Sequence, residues 1–176
     1  MSRIPTHTIE DVPAASRPLL QKIVEATPTG RPANLHAQMA HSPAVLTAYT
    51  SLRAALAEHT SFDPKTGAAL TLAAAAGVGN SYMILIASRL ALMNGWTQEQ
   101  VTALATGPSA NDAKIDGLAS LVREAAANSG NVTDAKWAAA LQAGWSDEQL
   151  ADAFVYLGAT VFTGYFLNYA QTDLDI

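Results

Sequence analysis

Asn94-Gly95-Trp96-Thr97-Gln98-Glu99-Gln100-Val101, NGWTQEQV, reads as the end of one helix and the start of the next. Gly95 can take the left-handed conformation that closes a helix at little steric cost. Thr97 and Gln100 then have the spacing of a capping box, in which a hydroxyl and a later amide satisfy orphan backbone N–H groups reciprocally. The same device returns as Ala143-Gly144-Trp145-Ser146-Asp147-Glu148-Gln149-Leu150. Two occurrences fit either two pseudo-equivalent helical units or convergence on good caps, whereas a solenoid normally takes three or more repeats.

Working outward from this pair, helix signals recur along the whole chain, and no segment alternates apolar and polar residues as a strand would. A stripe of Leu19, Leu20, Ile23 and Val24 predicts a helix over Ala14 to Ala26, ended by the loop Pro28-Thr29-Gly30-Arg31-Pro32. A short helix is expected over Leu35 to Ala40. Ser42-Pro43 and Asp63-Pro64 each offer an N-cap followed by proline at the first helical position. They start helices running to about Glu58 and about Ala76, the second broken by Gly77 to Gly79. A helix beginning near Asn80 ends at Gly95. Ser109 is expected to cap a helix through about Asn128, Thr133 a short one to Gln142, and the last helix spans Asp147 to about Ala170. The expected fold class is all-α, as a single domain over 1–176.

Composition narrows the partners. With 49% hydrophobic residues, the 176-residue chain can bury a continuous core. Its net charge of −5 comes from 15 acidic against 10 basic residues, and no basic run tracks a phosphate backbone or an anionic bilayer. Neither nucleic acid nor a membrane is an expected partner. The most apolar region, Ala68 to Met93, is interrupted by Gly77, Gly79, Asn80, Ser81 and Arg89, short of the roughly 18 apolar residues of a membrane span. MSRIPTHTIEDVP lacks the apolar core of a signal peptide, so a cytoplasmic location is expected. The last helix, with Phe154, Tyr156, Leu157, Val161, Tyr165, Phe166 and Tyr169, is apolar on more than one face. That pattern predicts a homo-oligomer.

Candidate chemistry is sparse. The sequence contains no cysteine, which excludes disulfides, thiolate metal sites and any thiol nucleophile on this chain. His7, His36, His41 and His59 do not have the paired spacing of a helical metal site, so no metal is expected. His36, in Asn34-Leu35-His36-Ala37-Gln38-Met39-Ala40-His41, lies on a short helix between loops, where a side chain can face a pocket. Gly77-Val78-Gly79 lacks the strand, third glycine and lysine of a phosphate loop, and close helix packing accounts for it. Ser81 is expected to serve in local capping, as Asn80 also can, and Asp173 and Asp175 to be ordinary solvated carboxylates.

Several patterns taken together resemble the carboxymuconolactone decarboxylase family, in its alkylhydroperoxidase D-like branch. They are Gly30-Arg31-Pro32-Ala33-Asn34-Leu35, Ala40-His41-Ser42-Pro43, Asp63-Pro64-Lys65, the Asn80 to Gly95 helix, the two Gly-Trp devices and the closing Tyr169-Ala170-Gln171-Thr172-Asp173-Leu174-Asp175. The resemblance covers nearly the whole chain and implies an alkylhydroperoxidase D-like helical fold. In redox-active relatives, the helix after the glycine break carries Cys-x-x-Cys-x-x-x-His, with a glutamate upstream completing a proton relay. These positions share one helix face, and the first turn's free amides favour a thiolate.

Counted back from Gly95, the cysteine positions fall on Asn80 and Met83, the histidine on Ala87 and the glutamate on Ala68; Tyr82 matches a tyrosine often found between the cysteines. Peroxide reduction through a dithiol is therefore not expected, and Ala87 and Ala68 remove the groups a decarboxylase of the family keeps. The family implies a peroxidase or decarboxylase, but the four missing groups point to a non-redox binding or structural relative that uses no cofactor, with Asn80, Tyr82, Met83, Ala87 and His36 as pocket candidates for a small-molecule ligand. The rival expectation is an enzyme on a small organic substrate, using His36, Tyr82, Asn80 or residues of the last helix such as Tyr165 and Asn168.

Overall fold

A computed structural model describes residues 2–107 and 112–175. Among the described residues it contains nine helices and no strand: α1 Arg17–Glu25, α2 Asn34–Met39, α3 Pro43–Glu58, α4 Pro64–Val78, α5 Ser81–Met93, α6 Gln98–Thr106, α7 Ala113–Ala127, α8 Asp134–Gln142 and α9 Asp147–Ala170. The chain forms two compact units, one of Met1–Ala54 with Tyr165–Ile176 and one of Ala55–Gly164. Both boundaries fall inside continuous helices, α3 and α9.

The caps set most of these limits. Asp63 accepts from the Thr66 backbone N–H, and Thr97 and Gln100 form the full capping box. Ser146 and Gln149 bond reciprocally in the same way, at 3.2 and 3.1 Å. Gly95 and Gly144 have φ of 86° and 92°, and the following Trp96 and Trp145 N–H groups reach back to Ala91 and Ala140. Both Gly-Trp devices therefore close one helix and open another as expected.

Three boundaries differ in their cause. The expected cap Ser109 lies outside the described residues; Asp112 caps α7, its carboxylate accepting from Lys114 and Ile115 N–H at 3.1 Å. Thr133 precedes α8, but its hydroxyl bonds Glu124 instead of its own helix. Ser81 is the first residue of α5, and Asn80 is the cap. An amide oxygen placed before the first turn reaches the N3 amide, and a hydroxyl already inside the turn does not.

In the larger unit, α4 packs against α5, α6 and α7. Every residue of α4 from Thr66 to Ala75 is buried, which explains an alanine-rich helix with no polar face. Gly77 does not break it. The helix continues through Gly77 to Val78 and ends at Gly79, whose φ is 71°. At Gly77 a Cβ would lie 2.5 Å from the Arg123 carbonyl and 2.6 Å from the Ala126 Cβ on α7. This glycine permits a close backbone approach between the two helices.

In the smaller unit, Leu20, Met39 and Leu46 are fully buried. Gln38 ties both chain ends to α2: its Nε2 donates to the Ile4 carbonyl at 2.8 Å, and its Oε1 accepts from the Thr172 hydroxyl at 2.5 Å. The Arg3 N–H also donates to the Ala170 carbonyl.

Gly77→Ala is expected to lower the unfolding free energy by roughly 1–3 kcal/mol, because backbone cannot yield as a side chain can. Gly158→Ala, where a Cβ meets nothing within 4 Å, is expected to be neutral or to stabilise by up to about 1 kcal/mol. Denaturant unfolding of the two variants beside the parent chain checks the contrast.

Candidate functional site

The first turn of α5 is capped by Asn80. The Asn80 Oδ1 accepts from the Met83 N–H at 2.8 Å, and its Nδ2 donates to the Gly164 carbonyl of α9 at 3.4 Å. A carboxamide thus bridges the helix start and a neighbouring backbone, leaving this donor and acceptor paired. A Cβ at Gly164 would stand 3.6 Å from Met83 Cγ and 3.8 Å from Asn80 Cβ, so α9 approaches this turn closely enough for the thioether to pack on its backbone. Asn80, Tyr82, Met83 and Ala87 are all buried, as is Ala68 on α4. Asn80 caps α5, Tyr82 and Met83 lie in its first turn and Ala87 lies further along it, and their functional groups are an amide, a phenol, a thioether and a methyl.

His36 belongs to the smaller unit, where its partner is Tyr49. His36 Nε2 and the Tyr49 hydroxyl are 3.1 Å apart, and the rings are tilted at 55°. His36 Nδ1 is buried without a hydrogen-bond partner. Burial, aided by the positive charge of Arg53 and opposed by Asp175, lowers its pKa to about 4. Burial also raises the Tyr49 pKa. At neutral pH this is therefore a neutral imidazole beside a neutral phenol.

A second histidine pair has no signature in the sequence. His7 and His41 stack with ring planes 8° apart, and His7 Nε2 lies 2.9 Å from His41 Nδ1. His7 Nδ1 is 3.5 Å from the Asp11 carboxylate. That separation is electrostatic, too long for a good hydrogen bond. A proton on His7 Nδ1 would face Asp11 and leave Nε2 to accept from His41. Among the described residues no group of three or more His, Cys, Asp or Glu could hold a metal ion.

Asp173 and Asp175 are exposed, and each accepts from a residue far away in sequence, Asp173 from the Ser2 hydroxyl and Asp175 from the Asn34 N–H. Tyr165 and Asn168 are exposed on α9. The residues that sequence reasoning did not single out are Lys65 and Lys114, which line a cleft of about 350 Å³ with Trp96 and Trp145. Their signal was available, since each lysine precedes its tryptophan by 31 positions.

Comparison with solved structures places the chain in a known architecture. An alkylhydroperoxidase D core, an uncharacterised peroxidase-related protein from Ralstonia eutropha JMP134, matches with a TM-score of 0.82 at 14% identity, over 99% of this chain and 92% of its own. The debrominase Bmp8 matches at 0.81 and 11% identity, over 99% and 93%. A peroxidase-related protein from Silicibacter sp. TM1040 matches at 0.76 and 15%, over 99% and 95%. No protein-family model and no curated protein matches the sequence. The chain has the alkylhydroperoxidase D-like, carboxymuconolactone decarboxylase-type helical fold. Within that class it is a chain without cysteine.

The lowered His36 pKa gives stability a definite pH dependence. The unfolded chain takes up a proton at His36 near its ordinary value of 6.5 and the folded chain only near 4, so stability falls as pH drops through that window and is fully present above it. His36→Phe removes the titrating group and is expected to flatten the profile between those limits, as read by thermal melts across pH.

Proposed function

We propose that this protein is a non-redox, binding or structural relative built on the alkylhydroperoxidase D-like fold. The observation carrying this reading is the first turn of α5, where Asn80 caps the helix and Met83 packs near Gly164 in a chain that has no cysteine. Thiol–disulfide exchange needs a thiolate to attack and a second sulfur to resolve it. Neither exists here, so the ancestry implied by the fold does not extend to dithiol peroxidase chemistry. The purified chain is expected to reduce hydroperoxides in the presence of excess dithiol no faster than dithiol alone. Protein-dependent, saturable turnover would overturn the proposal.

A second reading, an enzyme acting on a small organic molecule through relocated residues, draws on two observations. A debrominase of the same fold was crystallised, as a cysteine-to-alanine variant, in complex with 2,3,4-tribromopyrrole. The buried His36–Tyr49 pair of this chain also offers an imidazole nitrogen without a partner.

Self-association is part of the proposal. Phe154 and Trp137 are 66% and 41% exposed and border a shallow apolar groove with Leu150 and Leu157. Large aromatics at that exposure are more common at interfaces than on free surfaces. A cytoplasmic location belongs to the same proposal. Among the described residues α9 alone is long and apolar enough to cross a membrane, and half of its most apolar window is buried, which fits a core helix. Light scattering is expected to give a mass above one chain, and Phe154→Lys to shift it toward the monomer. A monomeric parent chain at working concentration would remove this part.

A further inference from the structure

The two Gly-Trp devices belong to a longer duplicated unit. Asp63 and Asp112, Lys65 and Lys114, Trp96 and Trp145, and Gln100 and Gln149 are each 49 positions apart, as are the first residues of α4 and α7. Each pair also repeats its contacts. Asp63 and Asp112 cap α4 and α7 with their carboxylates. The Trp96 indole N–H donates to the Lys65 carbonyl at 2.8 Å, and the Trp145 indole N–H to the Lys114 carbonyl at 2.7 Å. The Lys65 ammonium sits 4.7 Å from the Trp96 ring centre, and the Lys114 ammonium 4.5 Å from that of Trp145. Convergence on good caps does not account for a matched tryptophan-to-lysine-carbonyl bond and a matched ammonium over the ring. Duplication accounts for both.

The two copies face one cleft. Its walls of about 350 Å³ include Asp63, Lys65, Trp96, Asp112, Lys114 and Trp145, with Phe62 set edge-on to Trp145 at 5.5 Å. The cleft's two lysines and two aspartates balance in formal charge, but among the described residues no ion pair joins them. Both aspartates spend carboxylate oxygens on helix-start amides. Among the described residues neither lysine ammonium has a carboxylate within ion-pair distance or a hydrogen-bond acceptor, and each is held only by its indole. An ammonium over an indole face keeps its charge, and the N–H groups not aimed at the ring stay available to a ligand.

We propose that this cleft binds a small organic dianion, with the Lys65 and Lys114 ammoniums taking its negative oxygens and Phe62 flanking its apolar body. The duplicated unit supplies one cation from each copy, so the site is selective for two negative charges over one. The inference rests on the binding reading above but stands apart from the missing dithiol, and it fails separately: peroxide turnover leaves the titration below unaffected.

The test is titration of the full chain with three aromatic anions at low salt and neutral pH: phenyl phosphate, terephthalate and the monoanion benzoate. Two of the three tryptophans line the cleft, so intrinsic fluorescence reports binding, with calorimetry as a second readout. A dianion is expected to bind more tightly than benzoate and to weaken as salt rises. Preference for phenyl phosphate would mean both ammoniums share one group, and preference for terephthalate one carboxylate for each. Lys65→Met and Lys114→Met are each expected to weaken dianion binding about three- to tenfold, to the level of benzoate. Lys65→Arg, which keeps the charge, and Lys22→Met on α1 should retain it, with thermal melts confirming that every variant is folded. No saturable binding, or equal affinity for benzoate and both dianions, would overturn the proposal; so would an equal loss in Lys22→Met.

Discussion

The larger unit depends on the burial of α4. Ten consecutive residues of this helix, Thr66 to Ala75, are out of solvent, so it must be small-sided and apolar all round. Alanine satisfies both demands and has the highest intrinsic helix propensity. The close approach at Gly77 lets α7 lie against its far end, and Gly67 plays a related part near its start, where a Cβ would meet the Tyr156 hydroxyl at 2.6 Å. With α4 in place, Trp96 can reach the Lys65 carbonyl, which fixes how α6 leaves the end of α5.

That frame explains why the start of α5 tolerates such different chemistry. A helix N-terminus needs its free amides satisfied and its neighbour's backbone contacted. In a redox helix a thiolate would be stabilised by those amides. Here the Asn80 carboxamide meets the same demand, accepting from one amide and donating to the Gly164 carbonyl. Met83, unbranched and adaptable, fits beside a glycine where a more rigid side chain would leave a gap. The fold accommodates a chain without cysteine because capping and packing impose no need for sulfur.

Polar chemistry in this molecule sits in places that residue spacing does not advertise. His36 and Tyr49 are 13 positions apart, and His7 and His41 are 34 apart. Neither interval is a helical or strand repeat, so no pattern search pairs them. Lys65 and Lys114 are different, because their relation is a long-period repeat legible once the tryptophans are aligned. Sequence reasoning found the Gly-Trp half of that repeat and missed the Asp-Lys half. Aspartate and lysine at a helix start are too common to stand out singly.

Read alone, the sequence determined the all-helical class, most helix limits and the absence of thiol chemistry. These follow from local rules: caps act within four residues, glycine closes a helix by its own backbone freedom, and a missing element cannot be supplied by folding. Tertiary structure decided what local rules cannot express. It showed that Gly77 lies inside α4 to admit α7. It also showed that His36 is held neutral by burial. Each of these depends on which atoms from distant parts of the chain come within a few ångströms, and that distance is a property of packing, not of sequence separation.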